Sequence, residues 1–174
     1  MGTSGTGSNY CVTGDGVFAR HRDFCVRIDA RSGQPLGEFK VPEKRSAGDN
    51  VWGYIASDRG RLYGSRADPE HVVTYRYKAG GDMRQQLPES DLFFAYDGES
   101  GKLLWQYRAE HSIRHNAIAI GQRYVYLIDR AQAVSDRVKR ASSPVAQQSG
   151  VLIAFDKQNC KLARKRDTDI YGTT

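Results

Sequence analysis

The sequence predicts an all-β fold, a partial β-propeller of about three four-stranded antiparallel blades with two insertions. Three segments carry this prediction, residues 24–37, 92–105 and 151–164, which align without a gap and place an aspartate at the same position, at Asp29, Asp97 and Asp156. The composition agrees, because ten Tyr, six Phe, two Trp and eighteen Gly with only five Pro are typical of short strands joined by tight turns.

The repeated unit is a strand, a tight turn and a returning strand. Apolar residues occupy both alternating faces before each aspartate, which predicts strands buried on both sides. The aspartate side chain accepts backbone hydrogen bonds and starts the turn, and Gly33 and Gly101 supply the positive φ that closes it. The third copy has Asn159-Cys160 there, and Asn is the next-best residue in the left-handed region.

Residues 1–8 are predicted to be a flexible leader, and residues 9–174 a partial propeller. The first blade spans about residues 9–41 and contains four predicted strands, at 9–13, 17–20, 24–29 and 34–41. The sequence Gly14-Asp15-Gly16 between the first two strands is typical of a hairpin turn. Four strands in about thirty residues match the size of one propeller blade.

The second and third blades carry the insertions. The second blade spans about 52–108 with an insertion at 66–91, which contains an alternating run at 72–77 and forms either a small hairpin or a surface loop. The third spans 113–167 with a polar insertion at 131–150, and residues 170–174 resemble the start of a fourth. A polar connection, residues 42–50, separates the first two blades.

Charge and cysteine content favour no special partner class. The formal net charge of +6 comes from basic residues scattered among acidic ones, and the two basic clusters at 137–140 and 161–166 are interpreted as solvated surface, with no nucleic acid as partner. Cys11, Cys25 and Cys160 lack metal-type spacing and are predicted to be reduced. No apolar run is long enough for a transmembrane segment. The N-terminus lacks a secretory signal, which predicts a cytoplasmic protein if Met1 is the true start.

The central copy, Ala95-Tyr-Asp-Gly-Glu-Ser-Gly-Lys-Leu-Leu-Trp105, resembles the repeat of the pyrroloquinoline-quinone-like (PQQ-like) β-propellers, whose pattern is Ala-Leu-Asp-x-x-x-Gly-x-x-x-Trp. The other copies depart from it, with Gly37 and Arg164 in place of the docking Trp. The resemblance covers the chain apart from the leader and the insertions. It implies a fold that hosts quinoprotein dehydrogenases and outer-membrane assembly lipoproteins, and a location in the periplasm or cell envelope.

A quinone-dependent enzyme of this family is expected to hold PQQ with calcium and usually carries a pair of adjacent cysteines. The sequence has no Cys-Cys pair and no Cys-x-x-Cys-His haem motif. Asp167-Thr-Asp169 lacks the later acidic ligand of a calcium loop and is interpreted as a polar blade end. No catalytic residue, metal site or cofactor is therefore predicted, and PQQ with calcium enters only under the enzyme alternative.

Aligning the blade hairpins places Trp52, His115 and Tyr171 at one equivalent position, where the innermost strands face the central funnel. With Arg114 and Asn116 beside it, His115 is a candidate to bind an anionic or aromatic small ligand. The alternative is that these residues pack between blades or line solvent.

Three blades leave apolar faces and strand edges open, because closed propellers typically have four to eight blades. The expected partners are therefore the remaining blades or further copies of the chain, together with a protein or small ligand in the funnel. The function predicted is a non-catalytic binding or scaffold segment of a longer propeller. The alternatives are part of a PQQ-dependent dehydrogenase and an outer-membrane protein-assembly platform.

Overall fold

The computed structural model describes residues 9–43, 50–67, 89–130, 150–167 and 170. Those residues form two antiparallel sheets and no helix, so the predicted all-β fold is confirmed. Within this part of the chain, no helix has the length and apolarity needed to cross a membrane.

The strands follow one another in both sheets in chain order. The first sheet contains β1 (Tyr10–Thr13), β2 (Gly16–His21), β3 (Phe24–Ile28) and β4 (Pro35–Lys40). The second contains β5 (Trp52–Asp58), β6 (Arg61–Ala67), β7 (Glu89–Asp97), β8 (Leu103–Ile120), β9 (Tyr124–Asp129), β10 (Val151–Asp156) and β11 (Leu162–Arg166). Nearest-neighbour pairing of this kind is the meander of a propeller blade.

The eighteen-residue strand β8 belongs to two blades. Its first part pairs with β7, from Leu103 to Arg114, and its last part pairs with β9, from Ile113 to Ile120. Blade 1 is therefore β1–β4, blade 2 is β5–β7 with the start of β8, and blade 3 is the end of β8 with β9–β11. The sequence predicted a break between the second and third blades, after residue 108, and that break is absent from the described strand.

The carboxylate of Asp129 fixes β8 where it crosses from blade 2 to blade 3. It accepts four hydrogen bonds of 2.7 to 3.1 Å, from the Tyr107 hydroxyl and the backbone N–H groups of Glu110, His111 and Ser112. Asp129 is itself buried, and a buried carboxylate is tolerated where donors satisfy it in this way. The crossing is thus held by a residue of the following strand.

Two apolar cores lie on opposite sides of β7. Its side chains alternate, so Leu92, Phe94 and Tyr96 pack toward blade 1 while Phe93 and Ala95 pack toward blade 3. The first core is completed by Phe18, Cys25, Phe39, Val41, Trp52, Ile55 and Leu62. The second is completed by Tyr63, Ile113, Val125, Leu127, Ile153 and Phe155. This confirms that the central repeat strand is buried on both faces.

Trp105 joins blade 2 to blade 3. Its ring stacks on Phe155 with centroids 4.7 Å apart and an interplanar angle of 24°, and it also contacts Phe93. Stacked and tilted aromatic pairs of this kind add to the apolar burial. The docking tryptophan of the central repeat therefore packs between blades.

The three repeat aspartates form the same turn. Oδ1 of Asp29 and of Asp97 accepts the N–H and the hydroxyl of the serine three residues on, at 2.7 to 2.9 Å. Oδ1 of Asp156 accepts the Gln158 N–H at 2.7 Å. Backbone N–H donors are the largest cause that lowers the pKa of each of these carboxyl groups.

The third turn corrects one detail of the sequence analysis. Gly33 and Gly101 have φ of 72°, as expected, but the equivalent residue of the third copy is Cys160 with φ of 60°. Asn159 was expected to supply the left-handed conformation. The position is fixed by the backbone bond from the Cys160 N–H to Asp156 O, which the other two turns share, so the cysteine adopts it despite its Cβ.

The three thiols are free, as predicted. Cys25 is buried and Cys11 packs partly against the same core. Burial raises the pKa of Cys11 to about 11 and that of Cys25 to about 12, so both are protonated thiols at neutral pH.

The insertion predicted at 66–91 is shorter than expected. Residues 66–67 continue β6 and residues 89–91 begin β7, because their side chains pair and pack within the blade. Residues 68–88 and 131–149, the leader 1–8 and residues 171–174 lie outside the described residues, so the predictions made for them stay predictions.

We expect Gly64→Ala to destabilise the fold by about 1–3 kcal/mol through overpacking. A Cβ at Gly64 would lie 2.4 Å from Cζ2 of Trp52 and 2.5 Å from Cε2 of Phe94, inside the first core. Chemical denaturation monitored by tryptophan fluorescence measures the change.

Gly37→Ala is the matched control. Gly37 lies on the exposed strand β4 with no atom within 4 Å of the added methyl, so its free energy of unfolding should change by less than about 1 kcal/mol. Equal effects of the two substitutions would contradict the packing of Trp52 against Gly64 and Phe94.

Candidate functional site

The two ends of the blades differ in what they carry. Because neighbouring strands run in opposite directions, the β1–β2, β5–β6 and β8–β9 hairpin turns and the three aspartate turns lie at one end, here called the turn end. The opposite end, here called the insertion end, carries the β2–β3 turn, the end of β6 at Ala67, the start of β7 at Glu89 and the crossing of β8. The N–H of Trp52 donates to Arg22 O there, which places the start of β5 at the same end.

Trp52 lies in the core between blades 1 and 2. It is fully buried, its ring meets Phe94 edge-on with centroids 4.9 Å apart, and its indole N–H donates to Tyr54 O at 2.8 Å. Gly64 provides the space beneath the indole. This placement corresponds to the alternative that the residue packs between blades, not to a funnel-lining position.

His115 lies at the insertion end, in the irregular stretch of β8 between Ile113 and Ile118. It is buried and packs directly on Gly53, where a Cβ would approach the imidazole to 2.9 Å. A side chain larger than hydrogen at position 53 is therefore incompatible with this position of the ring.

A chain of hydrogen bonds connects His115 to blade 2. The Tyr54 N–H donates to Ser65 Oγ at 2.7 Å, Ser65 Oγ lies 2.7 Å from Ser90 Oγ, and Ser90 Oγ lies 2.7 Å from His115 Nε2. If each hydroxyl donates to the next group, Nε2 accepts and the proton resides on Nδ1. Nδ1 is buried and has no hydrogen-bond partner among the described residues.

The environment keeps the imidazole neutral. Burial lowers the pKa of His115 from its ordinary value of 6.5 to about 3, and the positive charge of Arg20 adds to this shift. His115 is therefore uncharged throughout the physiological pH range.

The neighbouring candidates have separate environments. Arg114 is buried and its Nε donates to Glu89 Oε1 at 3.0 Å, while the Ser112 hydroxyl donates to Glu89 Oε2 at 2.7 Å. Asn116 is exposed, and Tyr171 lies outside the described residues. The structure thus places Arg114 and His115 in two adjacent buried hydrogen-bond networks, which together form a polar cluster at the insertion end without the Trp52 side chain.

The sequence analysis missed Glu89, Ser90 and Ser65, which complete this cluster. Glu89 and Ser90 were placed inside an insertion, and Ser65 at the end of an ordinary strand. No local pattern marked them, because their partners are 23 to 50 residues away in the chain.

The distance of 2.7 Å between Ser90 Oγ and His115 Nε2 is that of a catalytic nucleophile and its general base, but the surroundings of the pair do not suit catalysis. Ser90 is fully buried, and within the described residues no carboxylate orients Nδ1 of His115. An imidazole with a pKa of about 3 is also a weak general base at neutral pH. The arrangement favours a structural network over acyl-transfer chemistry.

The cluster does not fit a calcium-held quinone by itself. Across the described ranges, no group of three or more His, Cys, Asp or Glu side chains converges on a point. The carboxylate of Glu89, next to Ser90 in the chain, is already bound by Arg114 and Ser112. No reaction step is therefore derived through such a group.

Comparison with known proteins gives the fold and no family. No family model matches the chain, and no curated protein matches it. The chain is similar to the crystal structure of quinohemoprotein alcohol dehydrogenase from Comamonas testosteroni, with a TM-score of 0.53 and 14% identity over 91% of this chain. It spans 20% of that protein's length, and at this identity the likeness shows the fold alone.

Two further structures share less. The computationally designed Ika8 protein has a TM-score of 0.28 and 10% identity, covering 93% of this chain and 62% of that one. BamB from Moraxella catarrhalis has a TM-score of 0.22 and 13% identity, covering 91% and 60%. Similarity at these scores supports no conclusion about this chain.

We expect acid to destabilise the fold through His115. Its folded-state pKa is depressed, so its contribution is complete above pH 6.5 and is lost as the pH falls toward about 3. The loss approaches about 1.4 kcal/mol per pH unit. Denaturant unfolding between about pH 4 and 6.5 measures it, a window above the ordinary pKa of the repeat aspartates, 3.8.

His115→Gln should flatten this dependence, because the amide still accepts from Ser90 and does not titrate. His111→Gln, which changes an exposed histidine of the same strand, is the control and should leave the slope as in the parent chain. An NMR titration of His115 with a midpoint near 6.5 would show that the imidazole is not buried as described.

Proposed function

We propose that the chain is a non-catalytic binding or scaffold segment of a larger β-propeller, in which a further blade covers each of its two outer faces. The observation that carries the proposal is the pattern of side chains in the outer blades. Apolar residues alternate there as they do in blade 2, whose two faces are both buried against neighbouring blades. Blades of this kind gain their stability from neighbours.

The first end face is the side of blade 1 turned away from blade 2. Phe18 and Cys25 point into the first core, so by strand register the alternate residues point outward. The apolar ones are Tyr10, Val12, Val17, Ala19, Phe24, Val26 and Ile28, and His21, Glu38 and Lys40 share this face by register. Tyr10 and Val12, on the edge strand β1, are 58% and 60% exposed, so this face presents large apolar side chains to solvent.

The last end face is the side of blade 3 turned away from blade 2. Val125, Leu127 and Phe155 point into the second core, and the alternate residues point outward. These are Ala119, Tyr124, Tyr126, Ile128, Leu152 and Ala154. Arg164 and Arg166 of the edge strand β11 border them, so the apolar face ends in a charged rim.

The size relation to the similar structure supports this proposal. The chain matches only a fifth of the length of the quinohemoprotein alcohol dehydrogenase. In a ring closed by further blades, neighbouring blades cover both end faces, and no other kind of partner is needed. The buried, neutral His115 cluster then contributes to the wall of the ring.

A PQQ-dependent dehydrogenase segment is the alternative favoured by the name of that similar structure. The blades described would then form wall, and the residues that hold quinone and calcium would lie elsewhere. Adding PQQ and calcium to the complete protein distinguishes the two: saturable binding with dye-linked alcohol oxidation favours the enzyme. The outer-membrane assembly platform has no independent structural support here and stays a sequence prediction.

We expect the isolated chain not to be a compact monomer of 19.5 kDa. Size exclusion with light scattering measures its mass. A discrete oligomer indicates that copies cover one another's end faces, whereas an expanded or aggregating species indicates that blades of a longer chain are needed. A compact, cooperatively unfolding monomer would overturn the proposal.

Val12→Lys adds a charge to the edge strand β1 of the first end face and should weaken association. Ala30→Lys is the matched control, because it adds the same charge in an exposed turn away from that face. An oligomer that both variants leave unchanged would show that the first end face is not the contact surface.

A further inference from the structure

The turn end carries a pocket between blades 2 and 3 that the proposed function does not use. Its volume is about 350 Å³, which suits a small metabolite or a few water molecules. Three turns form it: the β5–β6 hairpin, the β8–β9 hairpin and the turn that follows β10. It therefore lies at the opposite end of the blades from His115.

The side chains around this pocket are predominantly cationic. Arg59, Arg61, Arg123 and Lys157 line it together with the amides of Gln122 and Gln158, and Asp58 is the acidic residue of its lining. Lysine, arginine and glutamine side chains all present N–H donors, so the lining offers many donors and few acceptors.

The acidic groups beside the pocket are already engaged. Lys157 Nζ forms an ion pair with Asp58 Oδ2 and also donates to Gly121 O at 2.9 Å. Arg123 Nε donates to Asp156 Oδ2 at 3.2 Å. Asp58 and Asp156 thus balance Lys157 and Arg123, and Arg61 lies opposite Asp97 in the sheet, with which it interacts electrostatically. Arg59 has no acidic partner among the described residues.

The site is held by the fold. Lys157 is only 7% exposed, and its ion pair links the turn of blade 3 to the hairpin of blade 2. The guanidinium of Arg123 lies 5.2 Å from the ring centroid of Tyr124, which restricts its orientation. Preorganised donors lose little conformational entropy when they bind a ligand.

Two arginines retain binding capacity. Neither Nη group of Arg123 has a hydrogen-bond partner in the described part of the chain. Arg59 is exposed at the pocket edge and makes no hydrogen bond or ion pair with the described residues. The backbone of Arg59 has a φ of 49°, which is the left-handed conformation, and the residue lies in the β5–β6 turn.

We propose that this pocket binds a small dianionic oxyanion, a phosphomonoester or inorganic phosphate, through the guanidinium groups of Arg59 and Arg123. A planar guanidinium matches the geometry of phosphate oxygens, and a phosphomonoester carries about −1.5 to −2 charges near pH 7. Tetrahedral oxyanions also have enough acceptors for the donors of Gln122 and Gln158.

Isothermal titration calorimetry of the full chain at constant ionic strength tests the proposal. The ligands are inorganic phosphate, glycerol phosphate and succinate, each titrated separately. We expect saturable one-to-one binding of both phosphates with a Kd of about 1 mM or tighter. Succinate, a dicarboxylate, should bind at least several-fold more weakly. Tighter binding of succinate would overturn the assignment to phosphate.

Arg59→Gln and Arg123→Gln should each weaken phosphate binding about tenfold, as expected for loss of a charged hydrogen-bond donor. Arg31→Gln removes the same charge from an exposed turn of blade 1 and should change the affinity less than twofold. Because Arg59 has no structural partner among the described residues, its variant is expected to unfold like the parent. Equal, unsaturable binding in all variants would mean charge screening only and would overturn the site.

Discussion

Burial of β7 on both faces is the constraint on which the described structure depends. Five consecutive residues, 92–96, alternate between two cores, so this one strand joins all three blades. A shift of its register by one residue would exchange the two sets of side chains between cores of different shape. Its neighbours reflect this requirement, because Gly64 leaves space for Trp52 and Phe94 on one side while Tyr63 and Trp105 pack on the other.

The polar cluster at the insertion end follows from the same burial. β7 begins with Glu89 and Ser90, both already inside the protein, so each needs partners that replace water. Arg114 and Ser112 bind the carboxylate, and Ser65 and His115 bind the serine hydroxyl. Removing one member leaves another buried polar group unsatisfied, which costs about 1–3 kcal/mol. The cluster is therefore understood as the polar end of a buried strand.

The features that were predictable from the sequence are those with local causes. An aspartate three residues before a serine N–H makes its own turn, and an alternating apolar strand carries its burial pattern within itself. The continuous β8 was not predictable in this way, because Asp129 holds its crossing from 17 to 22 residues away. The surroundings of Trp52 were not predictable for a related reason: irregular pairing after Trp52 and after Ile113 interrupts the equivalence that the hairpin turns suggest. The cationic pocket was missed because its arginines and lysine come from three turns and look like scattered surface charge.

The turn end couples electrostatics to the contact between blades 2 and 3. The buried ammonium group of Lys157 donates a hydrogen bond to the carboxylate of Asp58 in the neighbouring blade. Separating the two blades would therefore leave both charges without their partner. Arg59 and Arg61 of blade 2 lie across the same boundary from Arg123 of blade 3, and repulsion between these like charges opposes close packing there. An oxyanion bound between them would cancel that repulsion and would bind only when the two blades are packed. By mass action it would stabilise the packed state in proportion to its occupancy, so the apolar core and the charged pocket would reinforce one another.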